Sequence, residues 1–112
     1  MQDTEVVAFR MTLNDGMAEE YRRRHDAIWP GLKAELLARG VIDYRIFHDP
    51  RSNHLFAVMT RRRGHGLDAL RHTEVMQAWW RMMADIMTTR PDASPEEVAL
   101  EPVFSLTGGG PG

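Results

Sequence analysis

Tyr21 and His25 stand four residues apart, a spacing that puts a phenol and an imidazole one turn apart on the same face of a helix. Ile28 and Leu32 continue that face, so the pair borders an apolar stripe. An imidazole titrates near neutral pH and can both give and take a proton. His25 lies shortly before Pro30, near the end of a helix that starts upstream, where the helix dipole favours the imidazolium able to donate. Trp79 and Trp80 are adjacent, and on a helix their directions differ by about 100°. They cannot both point into the centre of one core. One is expected to pack and the other to flank a cleft, where an indole face suits the C–H-rich face of a sugar. Tyr44, on a strand, can add a second hydroxyl. The chemistry open to this set is proton transfer on a polar ligand held against aromatic walls. Each residue has a packing role open to it as well, and spacing alone does not choose between the two.

The elements that must position these residues can be read from periodicity. Val6 to Leu13 alternates, with Val7, Phe9, Met11 and Leu13 on one side, and predicts a strand. Asn14-Asp15-Gly16 is a turn signal whose Asn or Asp could cap the next helix. From Met17 to Leu37, Tyr21, His25, Ile28, Leu32 and Leu36 recur at helical steps. Pro30 interrupts this run, which predicts two helical pieces with Pro30 in the first turn of the second and Gly40 as the stop. Val41–His48 and His54–Thr60 read as a hairpin. A helix is expected from about Thr73, its N-cap, to Met87, with Met76, Trp79, Met83 and Ile86 on one stripe. A loop over Pro91–Pro95 precedes a last strand, Leu100–Leu106, which Pro102 would place at a sheet edge.

The order β-α-β-β-α-β is that of the α+β ferredoxin-like fold, an antiparallel sheet with both helices on one face. Leu55, Ala57 and Met59 alternate with Phe56 and Val58, so the third strand is apolar on both faces. Its second face calls for a cover, and a second copy of the chain, as in a dimeric α+β barrel, is the expected one.

Composition narrows the classes further. The 112 residues are expected to form one domain over residues 1–107, with the glycine-rich residues 108–112 as a flexible tail. A formal charge of −2 and a pI near 6.2 carry no nucleic-acid footprint. The runs Arg22–Arg24 and Arg61–Arg63 read instead as solvated surface, the first paired to Glu19 and Glu20 at i,i+4 spacing. No cysteine is present, which excludes disulfides and thiol catalysis. His48, His54, His65 and His72 make no HExxH or HxH pattern and read as surface or turn residues, so no metal site is expected. The eight methionines read as core filler. No apolar run reaches the roughly 18–20 residues that cross a bilayer. Nor do the first residues form a secretory signal, so a cytoplasmic location is expected.

The segment Glu20-Tyr21-Arg22-Arg23-Arg24-His25-Asp26-Ala27-Ile28-Trp29-Pro30 resembles the signature region of the L-rhamnose mutarotase family. Asp43-Tyr44, Leu55-Phe56-Ala57, Trp79-Trp80 and Pro91-Asp92-Ala93-Ser94-Pro95 continue the resemblance, which runs from Val6 to about Leu106. It implies a cofactor-free dimeric enzyme that interconverts the anomers of a deoxyhexose pyranose. His25 would then be the proton donor, with substrate contacts from Tyr21, Tyr44, Trp79 and Trp80. Two stretches depart from the pattern: Arg61-Arg62-Arg63-Gly64-His65-Gly66-Leu67, where an acidic residue and a tryptophan are frequent, and Ala93, where Asn is common. Both fall on the expected rim and leave the preferred sugar open. A cofactor-independent monooxygenase of the dimeric α+β barrel type shares the element order, and a non-catalytic sugar-binding module would share the pocket. The first would consume oxygen; the second would bind sugar without accelerating anomer exchange.

Overall fold

Strand β1 (Thr4–Thr12) forms where apolar and β-branched residues alternate, and it turns Phe9 and Met11 toward the core. The computed structural model describes residues 3–108. Helices α1 (Ala18–Asp26) and α2 (Pro30–Ala38) come next, separated where the sequence places the break. Trp29, ahead of the proline, is extended at φ −62°, ψ 131° and caps α2, because proline disfavours helical backbone in the residue before it. Tyr21 and Leu32 from the shared stripe are buried, and Ile28 and Leu36 pack beside them. The hairpin strands are β2 (Val41–Asp49) and β3 (His54–Arg62). Helix α3 (Glu74–Met83) is capped by Thr73, whose hydroxyl accepts the Met76 N–H at 3.3 Å. Strand β4 (Val98–Leu100) closes the set.

The sheet order is β2-β3-β1-β4, antiparallel throughout, as the ferredoxin-like pattern requires. Register opposes Phe9 to Ala57 and Met11 to Leu55, and places Ile46 beside Ala57. These residues form the floor onto which Leu32, Trp79, Met83, Ile86 and Met87 pack.

Four expectations are corrected. The last strand lies at Val98–Leu100, not Leu100–Leu106, and residues 101–108 form no strand. Pro102 has no N–H and restricts Glu101, so the ladder ends before it. The strand does take the edge position, beside β1. The third helix ends at Met83, and Ala84–Ile86 tighten into a 3₁₀ turn before Met87 bridges to Leu13. Helix α1 has no side-chain cap. The Asn14 amide donates instead to the Asp85 carbonyl at 3.2 Å, and Asp15 accepts from the Asn53 amide, so both side chains tie the turn to other loops. Finally, Arg24 is not solvated. Its side chain is 15% exposed and donates to Glu20, to Asp85 and to the Met82 carbonyl, fastening α1 to the end of α3.

A 3₁₀ turn over Leu67–His72, not anticipated from periodicity, packs beside α3. Gly40 holds this region to the α2–β2 corner. Its φ is +122°, and a Cβ there would lie 2.9 Å from His65 Cβ and 3.3 Å from its Cα. The last four glycine-rich tail residues, 109–112, lie outside the described residues.

Candidate active site

Between the helices and the sheet lies a cleft of about 580 Å³, a size that suits a small ligand. Tyr21 and His25 reach it from α1, Tyr44 from β2, and Trp79 and Trp80 from α3, so all five residues singled out in the sequence line one space. The Tyr21 and His25 rings stack with centroids 4.2 Å apart and planes inclined by 22°. Trp79 meets His25 edge-on at 5.4 Å, and Trp29 meets Trp79 edge-on at 5.2 Å. His25 is thus gripped on one face by a phenol and on its edge by an indole.

His25 Nδ1 lies 3.2 Å from the Tyr21 carbonyl oxygen. A carbonyl only accepts, so Nδ1 carries the hydrogen and donates it, and in the neutral ring Nε2 keeps a lone pair. Burial lowers the His25 pKa, against the raising effects of the Tyr21 carbonyl and Asp26. The helix end was expected to favour imidazolium; loss of hydration outweighs it, and the resting imidazole is neutral near pH 7.

Burial also raises the pKa of Tyr21 and of Tyr44; the Tyr44 phenol is raised further by Tyr21 and Glu97. Both phenols stay protonated at neutral pH. Tyr44 keeps 37% of its surface accessible and lines the cleft. Its ring lies 6.4 Å from that of Phe9 on the sheet floor.

The two tryptophans divide their work. Trp79 is 6% exposed and belongs to the core, whereas Trp80 is half-buried. Trp80 also lines a shallower recess that opens from the cleft, together with Leu67, Asp68, Arg71, Arg90 and Glu97. Leu67, Asp68, Arg90 and Glu97 line both spaces and were not foreseen from the sequence. Arg61, expected as solvated edge, also lines the cleft and pairs with Glu5 at 2.7 Å. Trp29 was read only for its place before Pro30; its motif neighbours were the available signal for its packing on Trp79. Among the described residues, no three His, Cys, Asp or Glu side chains converge as metal ligands. The four remaining histidines stand away from the cleft lining.

A neutral imidazole with one open nitrogen, two protonated phenols and an indole wall can move protons on a hydroxylated ring. The family model described as L-rhamnose mutarotase matches residues 6–106. An L-rhamnose mutarotase of Paraburkholderia phytofirmans is 58% identical over 91% of this chain and 95% of its own length. One from Acidiphilium cryptum is 54% identical over 91% of this chain and 98% of its own. The crystal structure of an L-rhamnose mutarotase from Formosa agariphila superposes with a TM-score of 0.84 at 42% identity, covering 92% of this chain and 99% of that one. A proposed antibiotic biosynthesis monooxygenase from Nitrosomonas europaea aligns with a TM-score of 0.57 at 11% identity, covering 93% of this chain and 94% of that one. That likeness extends to the fold alone.

Proposed function

Since the chain belongs to the L-rhamnose mutarotase family and is an isomerase that interconverts the anomers of L-rhamnose, we propose that His25 moves the ring-oxygen proton in that reaction. Tyr21, Tyr44, Trp79 and Trp80 then hold the sugar. The observation that carries this reading is the single imidazole in the cleft, oriented through Nδ1 by the Tyr21 carbonyl with Nε2 left for a ligand.

Mutarotation needs no redox partner. His25 takes a proton from solvent at Nε2, and the resulting imidazolium gives it to the ring oxygen as the C1–O5 bond breaks, while the anomeric hydroxyl releases its proton to a water as the aldehyde forms. Rotation about C1–C2 presents the other carbonyl face. Closure reverses both transfers, returning the proton to Nε2. A spontaneous exchange of minutes to hours has a barrier of about 21–23 kcal/mol, and turnover of hundreds per second removes roughly 7–9 kcal/mol of it. Acid–base transfer by one histidine contributes about 10²- to 10⁴-fold. Positioning by the aromatic walls and polarisation by the protonated phenols must supply the remainder. The lowered His25 pKa makes the imidazolium a stronger acid once formed, which favours transfer to a weakly basic ether oxygen.

We further propose that the enzyme works as a homodimer. On the sheet face away from the helices, register aligns Val6, Phe47, Val98 and Leu100 with Phe56 and Val58, and the first four are exposed. Beyond β4, Val103, Phe104 and Leu106 are more than four-fifths exposed. So much exposed apolar surface supports burial against a second copy. Sedimentation at micromolar concentration should show twice the 12.8 kDa chain mass; the single-chain mass alone refutes the dimer.

Exchange NMR tests the catalytic reading, with L-rhamnose anomer interconversion followed with and without protein. L-fucose serves as the competing sugar. Wild-type protein should accelerate exchange without consuming oxygen, and no acceleration overturns the assignment.

A further inference from the structure

The approach to strand β4 brings a carboxyl group to the cleft. The strand's register opposes Ala99 to Phe9, a floor residue, and Ala99 lines the cleft. Side chains two residues apart along an extended chain share a face, and Glu97 accordingly lines the same cleft. Glu97 is also common to the outer recess that it shares with Trp80. It therefore stands at the junction of the two spaces, whereas His25 and Tyr21 line only the inner one.

Among the described residues, Glu97 makes no side-chain hydrogen bond and no ion pair within 4.0 Å. On the neighbouring loop, Asp92 is taken, accepting from both the Ser94 amide and hydroxyl. Glu97 thus presents two oxygen acceptors into a sugar-sized space. Burial raises its pKa, opposed by Arg90 and Arg71, and it acts electrostatically on Tyr44 across the floor. Asp68, the other carboxyl on the lining, sits on the 3₁₀ turn outside the sheet.

We propose that Glu97 is a specificity-determining residue whose carboxylate accepts hydrogen bonds from the 3- and 4-hydroxyls of a pyranose lying on Trp80. The inference rests on the mutarotase reading of the cleft. If C1 and the ring oxygen face His25 at the inner end, the hydroxyls remote from C1 reach the junction where Glu97 stands. A carboxylate oxygen receiving an O–H forms a charge-assisted bond, and two acceptors match two neighbouring hydroxyls. Trp80 meets the C–H face of the same ring. A sugar without those hydroxyls leaves the carboxylate unpaired, and this is how such a site discriminates.

The test is equilibrium titration of L-rhamnose and of its 3-deoxy and 4-deoxy analogues into wild type, Glu97→Gln and Glu97→Ala, followed by NMR, with circular dichroism to establish folding. Glu97→Ala should weaken L-rhamnose binding by about 10- to 100-fold, the range for bonds to a charged group. Glu97→Gln, which keeps the shape and one acceptor, should lose less. For an analogue lacking a contacted hydroxyl, the alanine penalty should shrink severalfold. Equal penalties for all three sugars, or Kd values within twofold of wild type, overturn the proposal. Because titration does not need turnover, Glu97 can fail while anomer exchange by wild type stands. A wild-type protein that neither binds L-rhamnose nor accelerates its exchange removes both readings.

Discussion

The inner and outer ends of the cleft are built on different principles. At the inner end, Tyr21, His25, Trp79 and Trp29 form a continuous chain of ring contacts between 4.2 and 5.4 Å. Helical periodicity sets their order, and each ring restrains the next. At the outer end, Trp80, Asp68, Arg90 and Glu97 come from a helix, a 3₁₀ turn, a loop and the residue before the edge strand. No ring contact joins them among the described residues, and their charges face a space that opens outward. The contrast separates duties: a rigid inner end suits proton transfer, which tolerates little misplacement, and a polar rim suits the choice of sugar.

The largest effect that tests this division is at His25. His25→Ala should retain the fold and cut anomer exchange by about 10²- to 10⁴-fold at saturating sugar. Tyr21→Phe should cost less, since the backbone carbonyl that orients the imidazole is retained. Equivalent changes at His54 or His72 should alter the rate little. A folded His25→Ala enzyme exchanging at the wild-type rate would dissolve the catalytic role of the inner end.

The tryptophan pair sharpens the comparison next. Trp79→Ala removes a core indole and should lower stability by about 3–5 kcal/mol in denaturant titrations. Trp80→Leu should leave the midpoint close to wild type while weakening L-rhamnose binding by roughly 5- to 10-fold, the worth of an aromatic face. If both changes moved only stability, Trp80 would be no platform.

Acidity should act on the inner end in a direction set by burial. The His25 pKa is lowered from 6.5, so the unfolded chain binds this proton more readily than the folded one. Its contribution to stability is complete above about pH 6.5 and is lost as pH falls through the lowered folded value. Denaturant midpoints at pH 7.5 and 5 should therefore diverge more for wild type than for His25→Gln. Equal divergence would place the acid sensitivity elsewhere.

The smallest effect lies on the rim. Ala93 adopts φ +71°, a left-handed conformation that disfavours a Cβ. Its loop is pinned by the Ala93 N–H donating to the Arg90 carbonyl at 2.9 Å and by the buried Ser94. Ala93→Gly should raise stability by about 0.5–1 kcal/mol, with strain relief exceeding the entropy lost. A lower melting temperature for this variant would contradict the strain.

The sequence by itself determined the element order, the break at Pro30, the Thr73 cap and the buried stripe from Tyr21 to Leu36. Each depends on neighbours within a turn or two, where proline geometry, capping and helical period act regardless of the rest of the chain. Local spacing and a family resemblance pointed to His25, Tyr21 and the tryptophans together, and these residues line one cleft. Only the tertiary structure decided that Trp79 packs and Trp80 faces the opening, since adjacent helical residues are distinguished by what lies opposite them. The direction in which the His25 pKa moves also depends on the tertiary structure, because the burial that lowers it depends on the whole fold. Glu97 was invisible for a related reason. The last strand was expected from Leu100 onward, and its true register against β1, set by partners near the other end of the chain, is what carries Glu97 to the cleft.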